Sequence, residues 1–120
     1  MLNSLIMYVG EREDGEALAA HFDVQDGYVY LPETMMQALG MYITYFPDVI
    51  VIDMQLPYAQ DVYDHLLSVD AKPIILLTDE HIRSTSVFTL PHGSSAEDVL
   101  LAMQRFHADE ACTNGVLHYA

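Results

Sequence analysis

Short apolar runs alternate along this chain with longer segments whose apolar residues recur at helical spacing. Leu5 to Val9 forms a first run ending at Gly10. Ala17, Leu18 and Phe22 then supply one face of a short helix, for which Asp14 is the expected cap. Tyr28 to Leu31 reads as a weaker second strand. Pro32 suits a first helical position, and Met35, Met36, Leu39, Tyr42, Ile43 and Phe46 follow with helical periodicity, as core-packing residues, until Pro47 ends the helix. Val49 to Ile52 is an uninterrupted β-branched run closed by Asp53, the pattern of a central strand buried on both faces. A helix from about Ala59 to Ser68 turns Val62, Leu66 and Val69 inward. Pro73 leads into a fourth strand, Ile74 to Leu77, and Val87 to Leu90 forms the last. The final helix is expected to begin at Ser94, with Ser94 and Glu97 as a capping box. Val99, Leu100, Met103 and Phe106 make its buried stripe, and it frays near Ala108.

Strands that alternate with helices predict an α/β fold, a parallel sheet covered on both faces. The rhythm breaks once, where only Asp79 to Ser86 separate Thr78 from the last strand. A helical crossover between parallel strands takes about a dozen residues or more. This segment, extended, spans about 26 Å and can run back along the sheet without a helix. The helix between the fourth and fifth strands is therefore expected to be lost or reduced to one turn. Val87 and Phe88 would then be less protected, and exposed apolar patches mark partner sites.

A chain of 120 residues, 52% hydrophobic, holds one core and not two. One domain over 1–110 is expected, with 111–120 as a tail or linker stub. Four Lys and Arg stand against eighteen Asp and Glu, a formal charge of −14 that repels phosphate backbones and argues against nucleic-acid binding by this domain. The lone Cys112 cannot form an intramolecular disulfide, which fits a reducing compartment. No run approaches the ~18 apolar residues of a membrane span, and Glu11, Glu13 and Asp14 interrupt the start where a signal peptide would stay apolar. No membrane association and a cytoplasmic location are expected. An enzyme or nucleotide binder finds little support. The first strand is followed by no Gly-rich phosphate loop, no Ser sits in a nucleophile elbow, and the six His are scattered singly.

In open parallel sheets, ligands and chemistry gather beyond the carboxyl ends of the strands. Glu11, Asp53 and Thr78 all fall there. The stretch Pro47-Asp48-Val49-Ile50-Val51-Ile52-Asp53-Met54-Gln55-Leu56-Pro57, with Pro73-Ile74-Ile75-Leu76-Leu77-Thr78 after it, resembles the signature of response-regulator receiver domains. The resemblance runs from about Ser4 to Phe106. It implies a three-layer flavodoxin-like receiver fold, a five-stranded parallel sheet in the order 2-1-3-4-5, and a signalling module of a two-component (phosphorelay) system. It further implies Asp53 as phosphoacceptor and Thr78 as the residue that binds the phosphate and switches. Glu11, Asp53 and the backbone carbonyl of Gln55 become ligands of Mg²⁺, a cation suited to hard oxygen donors.

Three departures from that pattern bear on function. The two adjacent acids expected after the first strand are replaced by Gly10-Glu11, and Glu13 and Asp14 read as solvated helix-start acids. The family's Lys-Pro at the end of the last strand is replaced by Leu90-Pro91. The only lysine, Lys72, precedes the fourth strand at the opposite end of the sheet, and the nearby His92 reads as a surface or packing residue. The shortened crossover is the third departure. Together they favour a degenerate receiver, not an enzyme, that acts through contacts with a histidine kinase or output protein, or as a homodimer through the remodelled face from strand 4 to the last helix. The alternative is a working phosphoacceptor, phosphorylated on Asp53 by a histidine kinase with Mg²⁺.

Overall fold

A computed structural model describes residues 4–22, 27–69, 73–80 and 87–105. Along the chain it has β1 (Ser4–Val9), α1 (Arg12–Ala19), β2 (Gly27–Tyr30), α2 (Met35–Tyr45), β3 (Val49–Asp53), α3 (Ala59–Ser68), β4 (Ile74–Leu77) and β5 (Val87–Leu90). A last helix, α4, is described over 96–105. All five strands are parallel, in the order β2-β1-β3-β4-β5. The expected sheet is the one observed, with β4 and β5 matching residue for residue and the other strands within one or two residues at either end.

The sheet's two faces carry separate cores. Met7, Val9, Ile50, Ile52, Ile74 and Leu76 point to one side and pack against Ala38 of α2 and Val62, Tyr63 and Leu66 of α3. Ile6, Tyr8, Val49, Val51, Ile75 and Leu77 point to the other and pack against Leu18 of α1 and Val99, Ala102 and Met103 of α4. β3 and β4 are buried along their whole length, which is why their sequences are continuous apolar runs and not alternating ones.

Helix ends depart from expectation in four places. α1 starts after Glu11 without a side-chain cap, so Asp14 lies inside its first turn, where a carboxylate still favours the positive end of the helix dipole. Pro32 lies ahead of α2, whose cap is Thr34, its Oγ1 accepting the Gln37 N–H. The capping box of α4 falls one residue late. Ser95 Oγ accepts the Asp98 N–H while Asp98 Oδ2 accepts the Ser95 N–H, because Ser94 turns its hydroxyl to the Pro91 carbonyl. Val69, expected inside, lies past the end of α3 and is exposed.

The larger correction concerns α2. Met35, Met41 and Tyr42 pack against the core, but Met36, Ile43 and Phe46 do not and face outward. Val87 is buried, and Phe88 is packed partly against the α1/α4 side. Residues 78–80 are not helical. The rest of the crossover, 81–86, lies outside the described residues, as do Lys72, Phe106, Ala108, Cys112 and the tail. No helix among the described residues is long and apolar enough to cross a membrane.

Candidate functional site

Asp53 is the one buried charged side chain among the described residues, 6% exposed at the carboxyl end of the central strand. Burying a carboxylate is costly unless something satisfies it. Here its Oδ1 accepts the Gln55 N–H at 3.0 Å, forming a tight turn that the Leu56 N–H reinforces by bonding the Asp53 carbonyl. Among the described residues nothing hydrogen-bonds Oδ2. Asp53 opens into a cavity of ≈ 360 Å³ whose lining includes Tyr8, Glu11, Asp14, Gln55, Leu77 and His92. A neighbouring cavity of ≈ 400 Å³ shares Gln55 and His92 and adds Thr78, Asp79 and Glu80.

The predicted site residues are thus brought to one end of the sheet, though not into one constellation. Glu11, Asp53 and Gln55 share the first cavity, while Thr78 lines the second. Thr78 Oγ1 accepts the Glu80 N–H and its own N–H bonds the Leu90 carbonyl, which ties the turn after β4 to the end of β5. Asp14, read from sequence as a solvated acid, also faces the first cavity.

His92 is the residue that the sequence undervalued. Its Nε2 lies 3.8 Å from Asp53 Oδ1, a distance at which a protonated imidazole forms an ion pair. The turn after β5 aims it there. Gly93 takes φ +85°, the left-handed conformation glycine tolerates, Ser94 N–H and Oγ both bond the Pro91 carbonyl, and the His92 N–H bonds Asp79 Oδ1. The signal in sequence was the turn-forming string Pro91-His92-Gly93-Ser94. Leu90, at the position of the family's lysine, instead lines a cleft along α4 and is absent from the lining of the Asp53 cavity.

At position 10 there is little room for a side chain. A Cβ on Gly10 would come within 2.5 Å of Cε1 of the buried Tyr8 ring and 3.3 Å of Asp53 Cβ. The tyrosine ring takes the space a side chain at position 10 would need. Burial pushes the Tyr8 phenol above its ordinary range, and the charges of Asp14, Asp53 and Glu11 push it the same way.

Mg²⁺ demands near-octahedral oxygen ligands at about 2.0–2.1 Å. Among the described residues no three His, Cys, Asp or Glu side chains converge closely enough to hold a metal ion, and Gly10 contributes no carboxylate. Glu11, Asp53 and Gln55 line one cavity and are donors of the right chemical kind, a set that Mg²⁺ would complete with water.

No family model matches the chain, and no curated protein matches its sequence. Solved structures do match its fold. The N-terminal domain of an uncharacterized protein from Wolinella succinogenes superposes with a TM-score of 0.66 at 13% identity, over 94% of this chain and 99% of that one. A two component transcriptional regulator AraC from Clostridium phytofermentans gives 0.67 at 13% identity, over 86% of this chain and 90% of that one. This chain has the flavodoxin-like receiver fold. Within that fold, Asp53 occupies the end of the central strand, the place in an open α/β sheet where chemistry is built.

Proposed function

We propose that this chain is a receiver-like signalling module of the two-component type that acts through contacts with other proteins, and that Asp53 is retained without efficient phosphorylation. The carrying observation is the make-up of the cavity at Asp53. Tyr8 and Gly10 stand where a second acid would help hold a metal, and among the described residues an imidazole, charged only when protonated, is the sole cationic group of its lining.

Phosphorylating a carboxylate gathers negative oxygens in one place, and preorganised positive charge there contributes several kcal/mol to the transition state. Glu11 and Asp14 add negative charge instead. Arg12 is committed at the surface to Glu16 and Glu33, at 2.9 and 2.8 Å. The partner is a histidine kinase or an output protein, and with a net charge of −14 the surface disfavours nucleic acid. No enzymatic role is assigned.

The second reading, a working phosphoacceptor on Asp53, is kept by two observations: Oδ2 carries no hydrogen bond among the described residues, and His92 stands within ion-pair reach. Acetyl phosphate separates the two readings. Attack of an Asp53 oxygen on phosphorus, with departure of acetate, would add one phosphoryl group to the intact mass. With Mg²⁺ present, the natural chain is expected to show no more adduct than Asp53→Asn. A stoichiometric adduct on the natural chain alone would establish the second reading in its place.

A further inference from the structure

The surface over α2 differs from the rest of the molecule. From Met35 to Pro47 there is no Asp, Glu, Lys, Arg or His, in a chain that carries eighteen acids. Gln37 and Thr44 give α2 a narrow exposed polar side, but a helix with so few polar residues is normally buried over most of its surface. In α2 only Ala38 is buried.

Its outward stripe holds Met36, 75% exposed, and Ile43, 64% exposed. Gly40 lies between them, with open space where its side chain would be. At the end of the stripe Phe46 is 72% exposed and sits in the left-handed region, φ 48° and ψ 66°. That conformation costs a residue with a Cβ roughly 1–2 kcal/mol, and an exposed ring recovers little of it by packing. Strain of this kind persists at functional positions. Beside the stripe, Tyr45 stacks on Tyr30 at 4.6 Å, and Tyr30 touches the exposed Tyr28, which carries the apolar surface to the free edge of β2.

We propose that this face docks a basic amphipathic helix of a partner protein, with Met36, Ile43 and Phe46 as its anchors and the gap over Gly40 as the seat of a partner side chain. Charge complementarity selects that occupant. Exposed acids lie near the neutral stripe, with Asp48 behind α2 and Asp61 and Asp64 on α3, which packs beside it, while Glu33 ahead of α2 is paired with Arg12. A second copy would set −14 against −14, and an anionic membrane would be repelled likewise. A helix with an apolar side and Lys or Arg flanks gains from both features of the surface, and methionine adapts to such partners. The proposal rests on the reading of the chain as a contact-making module and does not depend on the phosphorylation state of Asp53.

The test uses the full chain and a Leu/Lys amphipathic peptide of about 18 residues, long enough to form a helix, labelled with one Trp. The chain itself has no Trp, so the emission reports the peptide alone. Saturable binding is expected for this peptide and not for a Leu/Glu peptide of the same pattern. Phe46→Gly and Ile43→Ser, neither of which changes charge, should each weaken binding about tenfold, while Leu101→Ser on α4 leaves it unchanged. Phe46→Gly also relieves the left-handed strain and should melt at a higher temperature than the natural chain, so a loss of binding cannot come from unfolding. Equal binding by the natural chain and both α2 variants would overturn the proposal, and so would equal binding of the Leu/Glu peptide. A dimer in sedimentation that Ile43→Ser dissociates would assign the face to a second copy and overturn it too. Failure here leaves the acetyl phosphate result, and the reading it tests, untouched.

Discussion

At position 10 the constraint is set by a neighbouring ring. The space a Cβ would fill belongs to Tyr8, which is buried against the core shared by α1 and α4. Gly10→Asp, which restores the acidic pair in name, should therefore lower stability by about 1–3 kcal/mol, the usual cost of forcing atoms into a packed interior. Urea unfolding measures this directly, and an unchanged midpoint would mean that the ring moves aside freely. Tyr8 carries a second expectation. Its folded-state pKa is raised, first by burial and then by Asp14, Asp53 and Glu11. The folded chain thus holds the phenolic proton more tightly than the unfolded chain, so this contribution to stability is present below about pH 10 and is lost as pH rises from there through the folded value. Tyr8→Phe should flatten the part of the alkaline stability loss that Tyr8 causes. A thermal-melting series across pH 8 to 11 with the same slope for both proteins would count against it. At this scale the sequence told half the story. Asp53 was legible because an acid closing a buried apolar strand stands out. His92 was not, because its reach to Asp53 depends on the turn at Gly93 and not on any spacing in the chain.

Element ends show a similar division. Ser94 with Glu97 and Ser95 with Asp98 both satisfy the capping pattern at the same spacing, and only the turn at Pro91, which occupies the Ser94 hydroxyl, decides between them. Ser95→Ala should accordingly cost about 1 kcal/mol of stability, and Ser94→Ala, which leaves the box intact, clearly less. Comparing the two urea midpoints checks this, and the reverse order would return the cap to Ser94. For α2 the periodicity placed the helix correctly but not its orientation. Where nearly every position is apolar, only Gln37 and Thr44, seven residues apart and both exposed, mark the solvent side, a signal too thin to outweigh the apolar periodicity that put Ile43 inward. β3 and β4 carried no such ambiguity, since a strand buried on both faces has no outward side to misassign.

For the whole molecule, the alternation of apolar runs with helical segments was enough to predict a parallel sheet, and the likeness around Asp53 and Thr78 supplied its strand order. Contacts between residues on neighbouring turns of chain at the sheet's carboxyl end were beyond reach, because they depend on how strand ends and loops meet in space. The packing of Tyr8 against Gly10 is such a contact, and it constrains how sequences of this shape can change. An acid at position 10 meets the Tyr8 ring, so the expected penalty there is set by the size of residue 8. The two positions are therefore coupled. A path toward a fuller acidic site is expected to run first through a smaller residue 8, which opens a hole in the core beside α1, because the single step at position 10 is expected to lower stability.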